Sequence, residues 1–153
     1  MAKYKKGPFR PLNPHKYKGD PTNIVYRSWW ECRLMMEFDK NPDVLQWSSE
    51  EIIIPYRSPM DNKTHRYFPD FWVKKVNASD RKITETLIEV KPKAQTRPPQ
   101  PIKKGSKPTK RYINEVYTWG INSAKWEAAE SFCKKRGWEF IKITEDDLRI
   151  FGI

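Results

Sequence analysis

Apolar residues recur at a spacing of four in Trp30, Leu34 and Phe38, directly after Ser28-Trp29-Trp30-Glu31, whose Ser-x-x-Glu order has capping-box form. This predicts a first helix from Ser28 that ends at Asn41-Pro42. Trp47 precedes Glu51-Ile52-Ile53-Ile54-Pro55-Tyr56, whose consecutive apolar residues predict a short strand covered on both faces, taken as the first of the sheet. Two more strands follow. One runs through Arg66-Tyr67-Phe68-Pro69-Asp70-Phe71-Trp72-Val73 and one from Ile83 to Val90, with Asn77-Ala78-Ser79-Asp80 as the turn of a hairpin. Further on, one helix is predicted from about Thr109 to Trp119 and another from Asn122 or Ser123 to Arg136, stopped by Gly137. Trp126, Ala129, Phe132 and Cys133 form the apolar stripe of the second, and Tyr112, Tyr117 and Trp119 are expected in the core rather than stacked on bases. Trp138 to Ile143 alternates as a last strand, and Thr144-Glu145-Asp146-Asp147 opens a short terminal helix, where its acids suit the N-terminus. Helix, three strands, helix and strand describe an α/β domain.

Charge changes the picture more than length does. The 153 residues fit one domain, and 30 Lys and Arg against 19 Asp and Glu leave a formal charge of +11, an excess that draws polyanions. The positive residues are clustered. Residues 1–22 hold Lys3, Lys5, Lys6, Arg10, Lys16 and Lys18 among prolines and glycines, with Asp20 the lone acid, and read as an extended basic arm ahead of a domain over 23–153. Within that domain, a basic loop over 92–110 is broken up by Pro92, Pro98, Pro99, Pro101 and Pro108. Lys93, Arg97, Lys103, Lys104, Lys107, Lys110 and Arg111 in and beside this loop are the candidate contacts to the backbone of double-stranded DNA. Cys32 and Cys133 have no partner at ligand spacing, so free thiols are expected rather than zinc or a disulfide. No apolar run reaches membrane-spanning length and the Lys-rich start lacks an apolar signal region, which predicts a soluble cytoplasmic protein. His15 and His65 have no triad-like neighbours, and a strand-edge role is expected for His65.

The chemistry concentrates in Asp70 and in Glu89-Val90-Lys91. Side chains alternate along a strand, so Glu89 and Lys91 share one face while Ile88 and Val90 take the other. Solvated strands also carry Glu and Lys two apart, and Pro-Asp is a common turn dipeptide. Here, however, Phe68, Phe71 and Trp72 surround Asp70, and Leu87, Ile88 and Val90 surround Glu89; carboxylates among such residues need a partner or a metal. Two hard carboxylates suit Mg²⁺, with Mn²⁺ as a substitute, and an adjacent ammonium offsets charge in phosphodiester cleavage. Asp70 and Glu89 are thus candidate metal ligands and Lys91 a charge stabiliser, while Glu31 reads equally as a helix cap or as an acid leaning toward the metal.

Asp70, Glu89 and Lys91 on successive strands, with Glu31 on the first helix, resemble the signature of the PD-(D/E)xK nuclease superfamily. That resemblance implies a restriction-endonuclease-like αβββαβ core, a small mixed sheet flanked by helices, here with a basic N-terminal arm and a basic Pro-rich loop. The same layout is similar to the endonuclease subunit of cut-and-paste transposons. Almost end to end, through Tyr26-Arg27-Ser28, Ile54-Pro55-Tyr56, Ile88-Glu89-Val90-Lys91-Pro92-Lys93 and Asn114-Glu115-Val116-Tyr117-Thr118-Trp119, the chain resembles the head completion nuclease family of T-even-type tailed phages. This implies a Mg²⁺-dependent DNA endonuclease acting on the DNA end after genome packaging and before tail joining. It also implies assembly in the host cytoplasm, association with the virion head or neck, and contacts with portal or neck proteins. The competing expectation is a non-catalytic neck component that binds the packaged DNA end. Pro69 is expected to serve conformation, not chemistry.

Overall fold

The computed structural model describes residues 6–150. A four-stranded mixed sheet forms the centre, built from β3 (Val44–Ser49), β6 (Phe71–Val76), β7 (Ile83–Val90) and β8 (Glu139–Ile143) in that order. The first three strands pair antiparallel and β8 joins β7 in parallel. Helix α1 (Trp29–Lys40) packs on one face and α2 (Lys110–Arg136) on the other, while α3 (Glu145–Ile150) closes the described chain. Two small antiparallel ribbons complete the fold: β1 (Gly7–Phe9) with β2 (Ile24–Tyr26), and β4 (Ile54–Arg57) with β5 (Thr64–Tyr67).

The alternation of side chains divides the core in two. Phe71, Val73 and Ile88 point to the α1 side, where Leu34, Met35, Phe38, Val44 and Trp47 meet them. Trp72 and Leu87 point to the α2 side, against Trp126, Ala129 and Cys133. Both cysteines are buried and unlinked. Trp47 is fully buried, with the rings of Phe9, Tyr17 and Phe38 at 5.8, 4.8 and 5.9 Å. Among the described residues, no helix is long and apolar enough to cross a membrane.

The architecture is the expected α/β one, but four local expectations change. The first strand of the sheet is Val44–Ser49 and not the apolar run after it, because Trp47 has to fill the α1 side of the core. The run containing Ile54 pairs with β5 alone, and Pro55, which lacks an N–H, suits such a two-stranded ribbon. The strand drawn through Tyr67 and Phe71 is interrupted at Phe68-Pro69-Asp70, where buried Pro69 ends the β4–β5 ribbon. The two helices after residue 109 are one helix of 27 residues, started by Thr109 Oγ1 accepting from Tyr112 N–H and ended by Gly137 at φ 70°. Gly120 sits inside it, since packing of the helix on β4 and β8 outweighs one poor helix former.

The expected basic arm also departs from the reading. From residue 6 onward it lies on the domain: β1 pairs with β2, Phe9 and Tyr17 enter the core, and Tyr17 bridges Trp47 along the outer edge of β3. Lys16 fastens this segment. Its buried ammonium donates to the carbonyls of Phe38, Asp39 and Asn41 at 2.7, 2.8 and 2.8 Å, where the orphan acceptors and negative dipole of the α1 C-terminus lie. The Asp39 carboxylate in turn accepts from the N–H groups of Leu12 and Asn13. Lys16→Met should leave these carbonyls without donors and lower stability by about 2–3 kcal/mol, read as an earlier urea midpoint with unchanged slope. An unchanged midpoint would mean that water replaces the ammonium.

Candidate active site

In the β6–β7 ladder Phe71 lies opposite Ile88, so one step further Asp70 lies opposite Glu89. Opposed residues of this kind start about 4.5–5.5 Å apart at Cβ; Glu89 shares the α2 face with Leu87, and Asp70, on the bend outside the ladder, faces a cleft shared with the head of α1. Asp70 occupies the bend just before β6, where its carbonyl accepts from Glu50 N–H and its Oδ2 accepts from Val90 N–H at 2.7 Å. Glu50 leaves β3 at φ 53°, a left-handed conformation, and its carboxylate pairs with Arg27 beside α1. Glu89 is 5% exposed and its Oε2 accepts from Trp126 Nε1 at 3.3 Å. Among the described residues, Asp70 Oδ1 and Glu89 Oε1 accept no protein hydrogen bond, so each acid keeps one oxygen for a further partner.

Glu31 joins these acids while also serving its helix. Ser28 Oγ accepts from Glu31 N–H at 3.1 Å, and Glu31 Oε2 accepts from Arg27 N–H at 3.2 Å. The same carboxylate lines a cleft of about 220 Å³ together with Arg27, Asp70, Lys91 and Gln95. The carboxylate thus bonds back to the Arg27 N–H instead of the expected Ser28 N–H, and it also faces the cleft that holds Asp70. Lys91 is half-buried at the cleft, and its N–H is tied to Ile143 C=O at 2.9 Å.

The acids distort each other's titration. Burial pushes the Asp70 carboxyl well above the usual carboxylate range, and the charges of Glu89 and Glu31 push it further, against the Val90 N–H bond. Burial likewise raises Glu31, with hydrogen bonds from Ser28 and Arg27 opposing and Glu89 adding. Tyr67, whose hydroxyl is buried without a hydrogen-bond partner among the described residues, is raised by burial and by the charges of Glu89 and Asp70.

Two neighbours of the site escaped the sequence reading. Trp126, expected in the apolar stripe of its helix, also holds Glu89 through its indole N–H. Lys142 stands beside Glu89 in the parallel β7–β8 register, with its ammonium 4.4 Å from the centre of the Trp126 ring. The strand alternation of Trp138 to Ile143 could have indicated Lys142, but the helix–sheet contact that brings Trp126 over Glu89 had no local signal. His65 bonds Asp61 at 2.8 Å, away from the acids.

The candidate DNA contacts are spread along the segment that leaves Lys91. A single 3₁₀ turn over Lys93–Thr96 is its only regular piece before α2. Lys93 is engaged: its ammonium pairs with Asp146 at 2.9 Å, and its N–H donates to Glu145 at 2.6 Å. Arg111 pairs with Glu115 at 3.1 Å. Arg97, Lys103, Lys104, Lys107 and Lys110 are exposed and form no ion pair among the described residues. Exposed pairs such as the first two are worth about 0–1 kcal/mol and exchange readily for a phosphate.

Among the described residues, no group of three or more His, Cys, Asp and Glu side chains forms a ready metal cage. The donor set still fits a hard divalent cation, because two opposed carboxylates with one spare oxygen each match an ion that keeps several waters.

A profile of TnsA-like endonuclease N-terminal domains matches residues 41–145. The head completion nuclease of Enterobacteria phage T4 is 44% identical over 147 residues, covering 95% of each chain. The chain belongs to the head completion nuclease family. The restriction-endonuclease-like layout of the family profile agrees with the mixed sheet and its flanking helices. No solved structure gives a significant match.

For this family member the raised acids have a thermal consequence. A carboxyl whose folded pKa exceeds its unfolded value stabilises the fold below the unfolded pKa, and that stability is lost as pH rises through the folded pKa. Asp70→Asn should therefore raise the metal-free melting temperature at pH 7.5, by about 2–4 °C for each kcal/mol of repulsion removed, and the gain should shrink toward pH 4. Calorimetry in chelator across that range checks it, and equal melting temperatures at pH 7.5 would contradict the stored repulsion.

Proposed function

We propose that this chain is a metal-dependent DNA endonuclease of phage head completion, acting on the DNA end after packaging and before tail joining. The observation that carries the reading is the opposed Asp70–Glu89 pair, repelling in a partly buried site with Lys91 and Glu31 beside it. The name of the T4 relative supports the phage role, which would place the protein in the host cytoplasm at the filled head, near portal or neck proteins.

Asp70 Oδ1 and Glu89 Oε1 would hold Mg²⁺ or Mn²⁺, which when bound lowers the pKa of water and neutralises phosphate charge. The protein supplies the rest. Val90 N–H and Trp126 Nε1 each fix one oxygen of an acid, so the other oxygen is held in place before substrate arrives. Lys91 at the cleft wall offsets negative charge developing on the scissile phosphate. Glu31, whose proton affinity burial raises, stands at the same wall as acceptor for a proton released there. Lys103, Lys104, Lys107 and Lys110 lie on an exposed, proline-broken segment, which suits phosphate contacts and not base reading.

Purified protein incubated with supercoiled and linear DNA should nick or trim both with Mg²⁺ or Mn²⁺ and neither with chelator. Asp70→Asn and Lys91→Ala should each lose at least about 10²-fold in rate while circular dichroism stays unchanged. Binding without cleavage under every condition would replace the enzyme by a structural completion protein. Neutralising Lys103, Lys104 and Lys107 together should flatten the log K against log salt plot by roughly 0.9 per lost phosphate contact, equally on unrelated sequences. Losses that depend on sequence would refute the backbone grip.

A further inference from the structure

A second cavity, of about 920 Å³, lies between the basic segment and the amino-terminal half of α2. Its size falls in the range of about 300–1,000 Å³ typical of small-ligand sites. Gln95 lines both this cavity and the acidic cleft, so the two adjoin. Four side chains give it its character. Arg97 and Arg111 stand on its walls. Trp119 is half-buried, in edge contact with Trp126 at 5.9 Å and 76°. Asn122 is 6% exposed and lines the cavity, and its side-chain amide makes no protein hydrogen bond among the described residues, so its polar atoms are left to the solvent in the cavity. An amide that reaches only the solvent of the cavity is free to exchange that water for a ligand of matching hydrogen-bonding pattern.

We infer that this cavity receives one unpaired nucleotide of the DNA next to the scissile phosphate, which makes the substrate DNA with a single-stranded end or flap; the inference rests on the endonuclease reading above. An amide offers two donors and one acceptor, the complement of a base edge. A base within a duplex has that edge occupied and both faces stacked, so only an unpaired base can present its edge to Asn122 and its face to Trp119. Arg97 and Arg111 on the cavity walls supply guanidinium groups for the phosphate of the same nucleotide, Arg111 by exchanging Glu115 for it. Trp119 touches Trp126, which holds Glu89. An occupied pocket is therefore one aromatic contact away from a proposed metal ligand.

The test is equilibrium binding of the full chain in chelator, where no cleavage interferes, at one fixed salt concentration. The probes are a blunt duplex, the same duplex with a short single-stranded extension, and that extension with an abasic site as its first unpaired residue. The extension should tighten binding about tenfold or more, and the abasic site should abolish the gain. Trp119→Ala and Asn122→Ala should lose the same gain and keep their blunt-duplex affinity within about twofold, while Trp119→Phe should retain most of it. Equal affinity for blunt and extended duplex, or full binding of the abasic probe, overturns the inference. If Asn122→Ala misfolds, the abasic comparison on the unaltered chain decides. A chain that shows the preference but never cuts DNA sinks the endonuclease reading alone, whereas one that cuts without the preference sinks only the pocket.

Discussion

Two carboxylates set directly across a strand pair repel each other, and much of the structure resists that repulsion. The β6–β7 register places Asp70 against Glu89, and the fully buried Leu87 and nearly buried Phe71 and Trp72 keep that register from sliding. A slip of one residue would put apolar side chains where the acids are, and acids into the α1 core. The Val90 N–H and the Trp126 indole each hold one acid by a single oxygen. Packing of α2 on the sheet and pairing within the sheet thus share the work of keeping like charges together.

The parts of the site that could be read from the chain were those fixed by short-range rules. Strand alternation puts Glu89 opposite in face to Ile88, and the Ser28-to-Glu31 spacing makes the cap seen at the head of α1. What escaped was set by contacts distant in sequence. Val44 and Trp47 are three apart and show no alternation, so β3 is recognisable only from the rings that surround Trp47. Pro55 did carry a usable hint, since proline inside an apolar run argues for a marginal ribbon over a central strand. Gly120 argued for a break that the packing of α2 overrides. Lys16 is a lysine among lysines by sequence, and only its distance to three carbonyls sets it apart.

The acids sit inside a strongly basic protein. A net charge of +11 attracts a polyanion from a distance, and in the proposed reading the exposed lysines of the segment after Lys91 would meet it close to the acidic cleft. At its start that segment is tied to α3 through Lys93, Glu145 and Asp146, so its beginning beside the cleft is held in place. Attraction and chemistry would thus fall to adjoining stretches of one chain.

The fastening of α1 bears on where this fold can be cut and rejoined. The matched family span begins at residue 41, directly after the helix that carries Glu31 and is closed by Lys16. A chimera spliced at that boundary would inherit the opposed acids of the sheet but leave behind the third carboxylate and the segment that sets its helix in place. The portable unit would therefore be longer than the span matched to TnsA-like domains: if Glu31 serves as proposed, a splice with such a domain has to carry the preceding helix and its fastening along.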